Sequence, residues 1–154
     1  EPHRHTAWLR MFTLLKVPSL FFMRPSVVQL DDEVCTVKMP FKRRNKNHIN
    51  SMFVGVLTSA ADCTSVLAAM HKTMMRDINV VFALKDMHVD FKKRAEGDTY
   101  FTCTQGLDIA KYVEEAVQTK QRLNREIKVI ATCPDKTGDE PVAEFTITLS
   151  LKAH

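Results

Sequence analysis

The stretch that decides the fold is the apolar segment SMFVGVLTSAADCTSVLAAMHKTMM at residues 51–75. It contains no Pro and predicts one uninterrupted helix, from about Ser51 to Met75, with Asn50 or Ser51 as its N-cap. Apolar residues lie nearly all round this helix, which is typical of a helix buried on several sides. At about 1.5 Å per residue it would be more than roughly 30 Å long, enough to cross a small domain.

Alternating apolar and polar residues predict strands on both sides of this helix. In the longest of them the apolar face changes from even to odd numbers near Lys85, which predicts a β-bulge there. Because only a sheet that curls around the helix would bury it, the sequence predicts the α+β class with an antiparallel sheet. The predicted strands are 26–30, 33–39, 79–94, 98–104, 124–133 and 142–152, and the other main helices are 6–16 and 107–120.

The first 25 residues form a helical segment that precedes a single domain over residues 26–154. Trp8, Met11, Phe12 and Leu15 recur at helical spacing and predict one apolar stripe. This helix is either a lid or membrane-surface helix, or a helix packed on the domain, and we favour packing. Charges and a proline interrupt its apolar stretch, so we expect neither a membrane span nor a signal peptide.

The composition excludes several classes of protein. With 154 residues and 45% hydrophobic positions, the chain fits one globular domain, and its net charge of +4 is too small to indicate a nucleic-acid-binding protein. Four cysteines, none at metal-ligand spacing, predict reduced core thiols, a cytoplasmic location and no metal site. The sequence also lacks phosphate-loop, dinucleotide, zinc-protease and nucleophile-elbow motifs. The cysteines are Cys35, Cys63, Cys103 and Cys133.

Asp62 is the one acidic residue inside the apolar helix. Because burying a carboxylate without a partner is costly, Asp62 needs either a partner or a chemical task. A surface position, or a hydrogen bond to Thr58 or Ser65, is the structural alternative, and spacing alone slightly favours it.

The loop RRNKNHINSMF at residues 43–53 leads into the helix. A helix start offers unpaired backbone N–H groups that suit an anion or a developing oxyanion, although ordinary capping is the simpler interpretation. The chain also contains two basic runs, and each is either a solvated face or a binding site for phosphates. They are Lys42, Arg43, Arg44 and Lys46, and then Lys92, Lys93 and Arg94.

These features resemble the hotdog-fold acyl-CoA thioesterases, and in particular the PaaI-type enzymes. Asn47 lies fifteen residues before Asp62, as in that group, and Phe53, Val54 and Gly55 occupy the places of its His-Gly-Gly motif. The string RRNKNHINSMF followed by Gly55 is also similar to an uncharacterised branch of the superfamily. The resemblance extends over residues 26–152 and implies a curled sheet wrapped around one long helix.

The resemblance also implies a site shared between two subunits of a homodimer or homotetramer, with an acyl-CoA thioester as substrate and no cofactor. The backbone N–H of Val54 would polarise the carbonyl, Asp62 would act as general base or nucleophile, and Asn47 would position water or the carbonyl. An acyl tunnel would be shaped by residues such as Phe53, Val56 and Leu57. Further substrate contacts would come from His48, Ser51, Phe53, Gly55 and the cations Arg43, Arg44, Lys92, Lys93 and Arg94.

Two departures from the family pattern motivate a second hypothesis. Phe53 replaces a polar His, and Ala83 lies where the family carries a hydroxyl residue on the strand after the helix. A non-catalytic protein that binds acyl-CoA or a fatty acid would need neither group. Nucleic-acid binding is not favoured, because the basic runs lack interleaved aromatic residues.

Overall fold

The computed structural model describes residues 1–74 and 76–154. The helices are α1 (Pro2–Lys16), α2 (Pro18–Met23), α3 (Val54–Met74), α4 (Gly106–Thr119) and α5 (Pro134–Thr137), with a 3-10 turn at Arg43–Asn45. The strands are β1 (Ser26–Leu30), β2 (Cys35–Met39), β3 (Val80–Phe91), β4 (Thr99–Cys103), β5 (Leu123–Thr132) and β6 (Pro141–Ala153).

The strands form one antiparallel sheet in the order β1-β2-β4-β5-β6-β3, which curls around α3. The helix contacts five of the six strands and α4, and ten of its residues are buried. The α+β class and the curled sheet around a long helix are therefore confirmed. The core residues with the least exposure include Phe101, Phe145, Ile147 and Leu149 from the sheet, and Val56 and Ala60 from the helix.

The central helix begins at Val54, three residues later than expected. The prediction that Asn50 or Ser51 caps it is wrong, because the carbonyl oxygen of Phe53 is what accepts the first helical hydrogen bonds, from the N–H groups of Val56 at 2.9 Å and Leu57 at 3.1 Å. Residues 46–52 instead form a tight loop closed by an antiparallel bridge. The predicted end of the helix at Met75 lies outside the described residues.

The predicted β-bulge in β3 is confirmed. Leu84 pairs with Leu149 and Asp86 pairs with Thr148, so Lys85 is the extra residue. Because the bulge restores the alternation, one face of β3 is apolar along most of its length. The half-buried residues on that face are Val80 and Phe82 before the bulge, and Met87 and Val89 after it.

The two edges of the sheet differ. At the β1 edge, Oγ1 of Thr6 in α1 accepts a hydrogen bond from the N–H of Val27 at 2.9 Å and donates one to its carbonyl at 3.3 Å. Arg10 of α1 donates to the carbonyl of Pro25 at 3.3 Å. At the opposite edge β3 pairs only with β6 in the described part of the chain. One edge is thus closed by a helix, and the other offers twelve residues of unpaired strand.

The helix α1 packs on the domain, as favoured above, but through a face that shares only Trp8 and Phe12 with the predicted stripe. Leu9 and Thr13 are buried, whereas Met11 and Leu15 are exposed. The hydrogen bonds from Thr6 and Arg10 to β1 explain this rotation, because they fix the polar side of the helix against the strand edge.

All four cysteines are free and buried, as predicted. Only α3, among the residues described, is long and apolar enough to cross a membrane, with a mean hydropathy of 1.2 in a window that is 56% buried. A helix in the core of a domain meets the same criterion, so this property does not indicate a span. Cytoplasmic localisation and the division into residues 1–25 and 26–154 stay predictions.

Candidate functional site

Asn45 fixes the loop that leads into the central helix. Its side chain is fully buried, and Nδ2 donates to the carbonyl oxygens of Met23 at 2.9 Å and Pro40 at 2.8 Å. Its own backbone carbonyl accepts a hydrogen bond from the N–H of Phe53 at 2.9 Å. Asn45 is not among the predicted site residues, because an Asn in a basic loop gives no sign of burial.

Asn47, predicted to position water or the carbonyl, organises the turn after Asn45. Its Oδ1 accepts hydrogen bonds from the N–H of Ile49 at 3.1 Å and from the N–H and Oγ of Ser51 at 3.0 and 3.3 Å. These bonds occupy the side-chain oxygen and leave only Nδ2 for another partner. The neighbouring His48 is exposed, and the structure records no hydrogen bond to it from the residues described.

The start of the central helix presents two unpaired backbone donors. Neither the N–H of Val54 nor that of Gly55 has an acceptor among residues 1–74 and 76–154. Phe53 and Val54 are 50% and 49% exposed, so this helix end is accessible from outside. Adjacent N–H groups at a helix start are suited to a carbonyl oxygen that becomes negatively charged during a reaction.

Asp62 lies between α3 and α1, beside an apolar cavity of about 100 Å³. No hydrogen bond or ion pair to its carboxylate is present in the described part of the chain, and burial raises the pKa of this carboxyl above its ordinary value. The structural alternative with Thr58 or Ser65 is wrong, because both hydroxyls donate to backbone carbonyls instead. The cavity is lined by Trp8, Leu9, Phe12, Thr13, Val17 and Leu20 from the N-terminal segment, and by Cys63, Val66, Leu67 and Met70 from α3.

Cys63, next to Asp62, also lines this cavity. Burial raises the pKa of its thiol to about 12, so the thiol stays protonated near neutral pH. Among the described residues that line the cavity, Asp62 is the only one with a carboxyl group. The expected tunnel residues Val56 and Leu57 are buried in the core, and the apolar cavity lies on the α1 side of the helix instead.

The structure does not bring Asp62 and Val54 together within one chain. They are eight residues apart on α3, which is about 12 Å along a helix axis at about 1.5 Å per residue. One bound carbonyl therefore cannot contact both groups of the same chain. A site in which one bound carbonyl lies within hydrogen-bonding distance of both groups would therefore need Asp62 from a second copy.

The two basic runs differ in their partners. Lys92 lies 3.1 Å from Asp90, Lys93 pairs with Glu140, and Arg94 donates to the carbonyl of Ile49 at 2.8 Å. The hydrogen bond from Lys93 also lowers the pKa of the Glu140 carboxyl. In contrast, Lys42, Arg43 and Arg44 are exposed and have no carboxylate partner in the ranges described. Of the two runs, the first is therefore the one whose cations have no carboxylate partner among the residues described.

Comparisons with known proteins agree with this architecture. Residues 6–151 match the family described as a domain of unknown function, DUF4442. No curated protein matches the sequence. Among solved structures, a protein of unknown function from Chlorobaculum tepidum is 16% identical with a TM-score of 0.82, over 99% of this chain and 97% of that chain.

Two further structures are similar at low identity. A Pseudomonas aeruginosa protein of unknown function, named as a probable thioesterase, is 22% identical with a TM-score of 0.75, over 97% of this chain and 96% of its own. A thioesterase from Haemophilus influenzae is 9% identical with a TM-score of 0.65, over 93% and 88%. These similarities confirm the hotdog fold.

Proposed function

Because the chain belongs to the DUF4442 family, whose function is unknown, and has the hotdog fold, we propose that it hydrolyses acyl-CoA thioesters. The observation that carries this proposal is the pair of unpaired N–H groups at Val54 and Gly55, on the same helix as the partly buried carboxylate of Asp62. Polarisation of a carbonyl and activation of water are the two tasks that thioester hydrolysis requires.

In the proposed mechanism, the N–H groups of Val54 and Gly55 bind the thioester carbonyl oxygen. Asp62 from a second copy removes a proton from water as the water oxygen attacks the carbonyl carbon. The tetrahedral intermediate then collapses, the C–S bond breaks, and the thiolate of coenzyme A leaves and takes up the proton. The free Nδ2 of Asn47 can donate a hydrogen bond to the water or to the carbonyl. The raised pKa of Asp62 makes its carboxylate a stronger base.

The open edge of β3 supports the proposal that a second copy takes part in the site. Long, apolar, unpaired edge strands are liable to pair with another chain unless they are covered. Val81, Leu84 and Phe91 on β3 are exposed, as are Phe53 and Val54 at the start of α3. Antiparallel pairing of two β3 strands would continue the sheet through a homodimer, and two dimers could form a homotetramer.

Coenzyme A would bind with its phosphates near Arg43 and Arg44. These guanidinium groups are exposed and free of carboxylates in the part of the chain described, and planar guanidinium groups bind phosphates well. Lys92, Lys93 and Arg94, predicted to share this task, already contact carboxylates or a carbonyl. We therefore assign coenzyme A to the first run alone.

Release of free thiol from short-, medium- and long-chain acyl-CoAs tests the proposal. We expect turnover with at least one chain length, and Asp62→Asn should reduce it by about 100-fold or more. Asp139→Asn, a change of the same kind in an exposed loop, is the matched control and should keep full activity. Equal activity of the Asp62→Asn variant and the native protein would remove Asp62 from the mechanism.

A second candidate function is binding of acyl-CoA or a fatty acid without turnover. Two observations favour it: Phe53 puts an apolar ring where the resemblance expects a polar imidazole, and α1 covers one side of Asp62. Calorimetry that measures tight acyl-CoA binding, together with no thiol release at any chain length, would support this function over hydrolysis.

A further inference from the structure

The N-terminal helices expose a ridge of large apolar side chains. Met11, Leu14, Leu15 and Phe22 are 60%, 48%, 69% and 62% exposed, and we call them the apolar ridge. Met11, Leu14 and Leu15 are spaced by three and four residues, so they lie on one side of α1. Exposed apolar groups that are clustered in this way mark an interaction surface.

A basic groove of about 410 Å³ lies beside this ridge. None of its lining residues is acidic, and among its five cations only Lys38 has a carboxylate within 4.0 Å, that of Asp98 at 3.4 Å, in the described part of the chain. The groove is lined by Arg10, Arg24, Lys38, Lys42 and Arg44, together with Ser26 and Pro40.

The basic groove and the apolar ridge meet at Phe22. Its ring lines a second recess together with Lys42, Arg43 and Arg44, two of which also line the groove. Phe22 therefore places an apolar ring of the ridge directly beside the cations of the groove.

Two of the cations in the groove are held in place. Arg10 donates to the carbonyl of Pro25 and to Oγ of Ser26 at 3.0 Å, and the guanidinium of Arg24 lies 4.6 Å from the ring centre of Phe21. Because these contacts orient the guanidinium groups before any ligand arrives, little conformational entropy is lost when they bind a phosphate.

A second copy of this chain is a poor occupant of the surface. A two-fold interface places the same patch against itself, so the unpaired cations of the groove would face one another. The open edge of β3 also offers a separate surface through which two copies can associate. A bilayer with anionic phospholipids, in contrast, offers acyl chains to the ridge and phosphates to the groove.

We propose that the apolar ridge and the basic groove form a docking surface for membranes that contain anionic phospholipids. In the bound state Met11, Leu15 and Phe22 lie among the lipid chains near the headgroups, and Arg24 and Lys42 contact lipid phosphates. The domain attaches to one leaflet without crossing it. Lys42 and Arg44 also belong to the run that we assign to coenzyme A, so the docking surface adjoins the proposed substrate site. The test below measures membrane attachment, and its outcome does not require turnover.

Co-sedimentation with vesicles tests the docking surface. We expect the protein to bind vesicles of phosphatidylcholine with phosphatidylglycerol much more than vesicles of phosphatidylcholine alone, and to be released by high salt. The variant Arg24→Gln/Lys42→Gln should lower the partition coefficient about 25-fold, at about fivefold for each cation. Lys92→Gln/Lys93→Gln removes the same charge from ion-paired positions and should change the partition coefficient little.

The ridge has its own matched pair of variants. Leu15→Ser should lower the partition coefficient about tenfold, whereas Leu107→Ser, at a similarly exposed position on α4, should leave it unchanged. Thermal unfolding and light scattering on each variant check that the fold and the oligomeric mass are retained. Equal binding of all variants, binding that does not require the anionic lipid, or a change of oligomeric mass in Leu15→Ser would overturn the proposal. Saturable competition by a soluble inositol phosphate at low concentration would assign the groove to a free ligand instead.

Discussion

The aromatic ring of Phe53 lies against the backbone of Gly55, so that a Cβ atom at residue 55 would be 2.6 Å from Cε1 of the ring. The ring belongs to a half-exposed side chain that can rotate away. We therefore expect Gly55→Ala to cost less than about 1 kcal/mol, because the greater helix propensity of Ala offsets the displaced ring. Urea denaturation measures this change in the free energy of unfolding.

Gly106 is the matched comparison, since it also lies at the start of a helix. A Cβ there would be 2.3 Å from the carbonyl oxygen of Asp32, which is backbone and cannot rotate away. Gly106→Ala should therefore destabilise the fold by about 1–3 kcal/mol through overpacking. Similar losses for Gly55→Ala and Gly106→Ala would contradict the distinction between a mobile ring and a fixed carbonyl.

Asp62 should make stability depend on pH. Its pKa is raised in the folded state, so between the unfolded pKa and the folded pKa the folded protein binds more protons, and stability falls as pH rises. Above the folded pKa the full cost of the buried charge is present. We expect Asp62→Asn to raise Tm at pH 7 and to give no such gain at a pH below the unfolded pKa.

Circular dichroism melts at the two pH values measure this difference. Asp139→Asn, at an exposed position, should shift Tm little at either pH. If Asp62→Asn instead lowered Tm at pH 7, the carboxylate would have a stabilising partner, and its role as an unpaired base would be untenable.

The two basic runs should differ in their effect on acyl-CoA binding. Arg43 has no carboxylate partner in the described ranges, so Arg43→Gln should raise KM about tenfold with a smaller change in kcat, through loss of a charge-assisted phosphate contact. Lys93 is paired with Glu140, and Lys93→Gln should change KM less than about twofold. Titration with an acyl-CoA analogue gives the same comparison if turnover is absent. A larger increase in KM for Lys93→Gln than for Arg43→Gln would instead assign the coenzyme A phosphates to the second run.

The open edge of β3 should determine the oligomeric state. Lysine on an edge strand opposes strand pairing, so Val81→Lys/Leu84→Lys should yield a monomer by light scattering at micromolar concentration. If the site is shared, the same variant should lose activity while keeping its fold. A native protein that is already a monomer would contradict both the dimer and the shared site.

Local patterns predict much of this fold because the sheet has one buried face. In β6, the apolar residues Phe145, Ile147, Leu149 and Leu151 alternate with polar ones, and each of the four is buried. The shift of parity near Lys85 likewise predicts the bulge. In both cases the signal lies within a single strand, and the side chains alternate with the same period as the backbone.

The parts that sequence could not predict depend on contacts between distant segments. The start of α3 is set by Asn45, whose side chain bonds to the carbonyl of Met23 far along the chain. The cavity beside Asp62 exists because α1 packs against α3, and no pattern within either helix specifies that pairing. Met11 and Leu15 fit an apolar stripe, yet the polar contacts of Thr6 turn them outward.

Because β3 carries an extra residue at position 85, the number of residues in this strand determines which of its side chains face the core. Deleting Lys85 would join two regular strand segments whose apolar faces point in opposite directions. Either Phe82 or Met87 would then turn away from the central helix. A surface loop tolerates gain or loss of a residue, but we expect this strand not to tolerate it, although Lys85 itself is exposed. Homologous chains of this fold should therefore keep the same spacing across this point while the identity of the residue drifts freely.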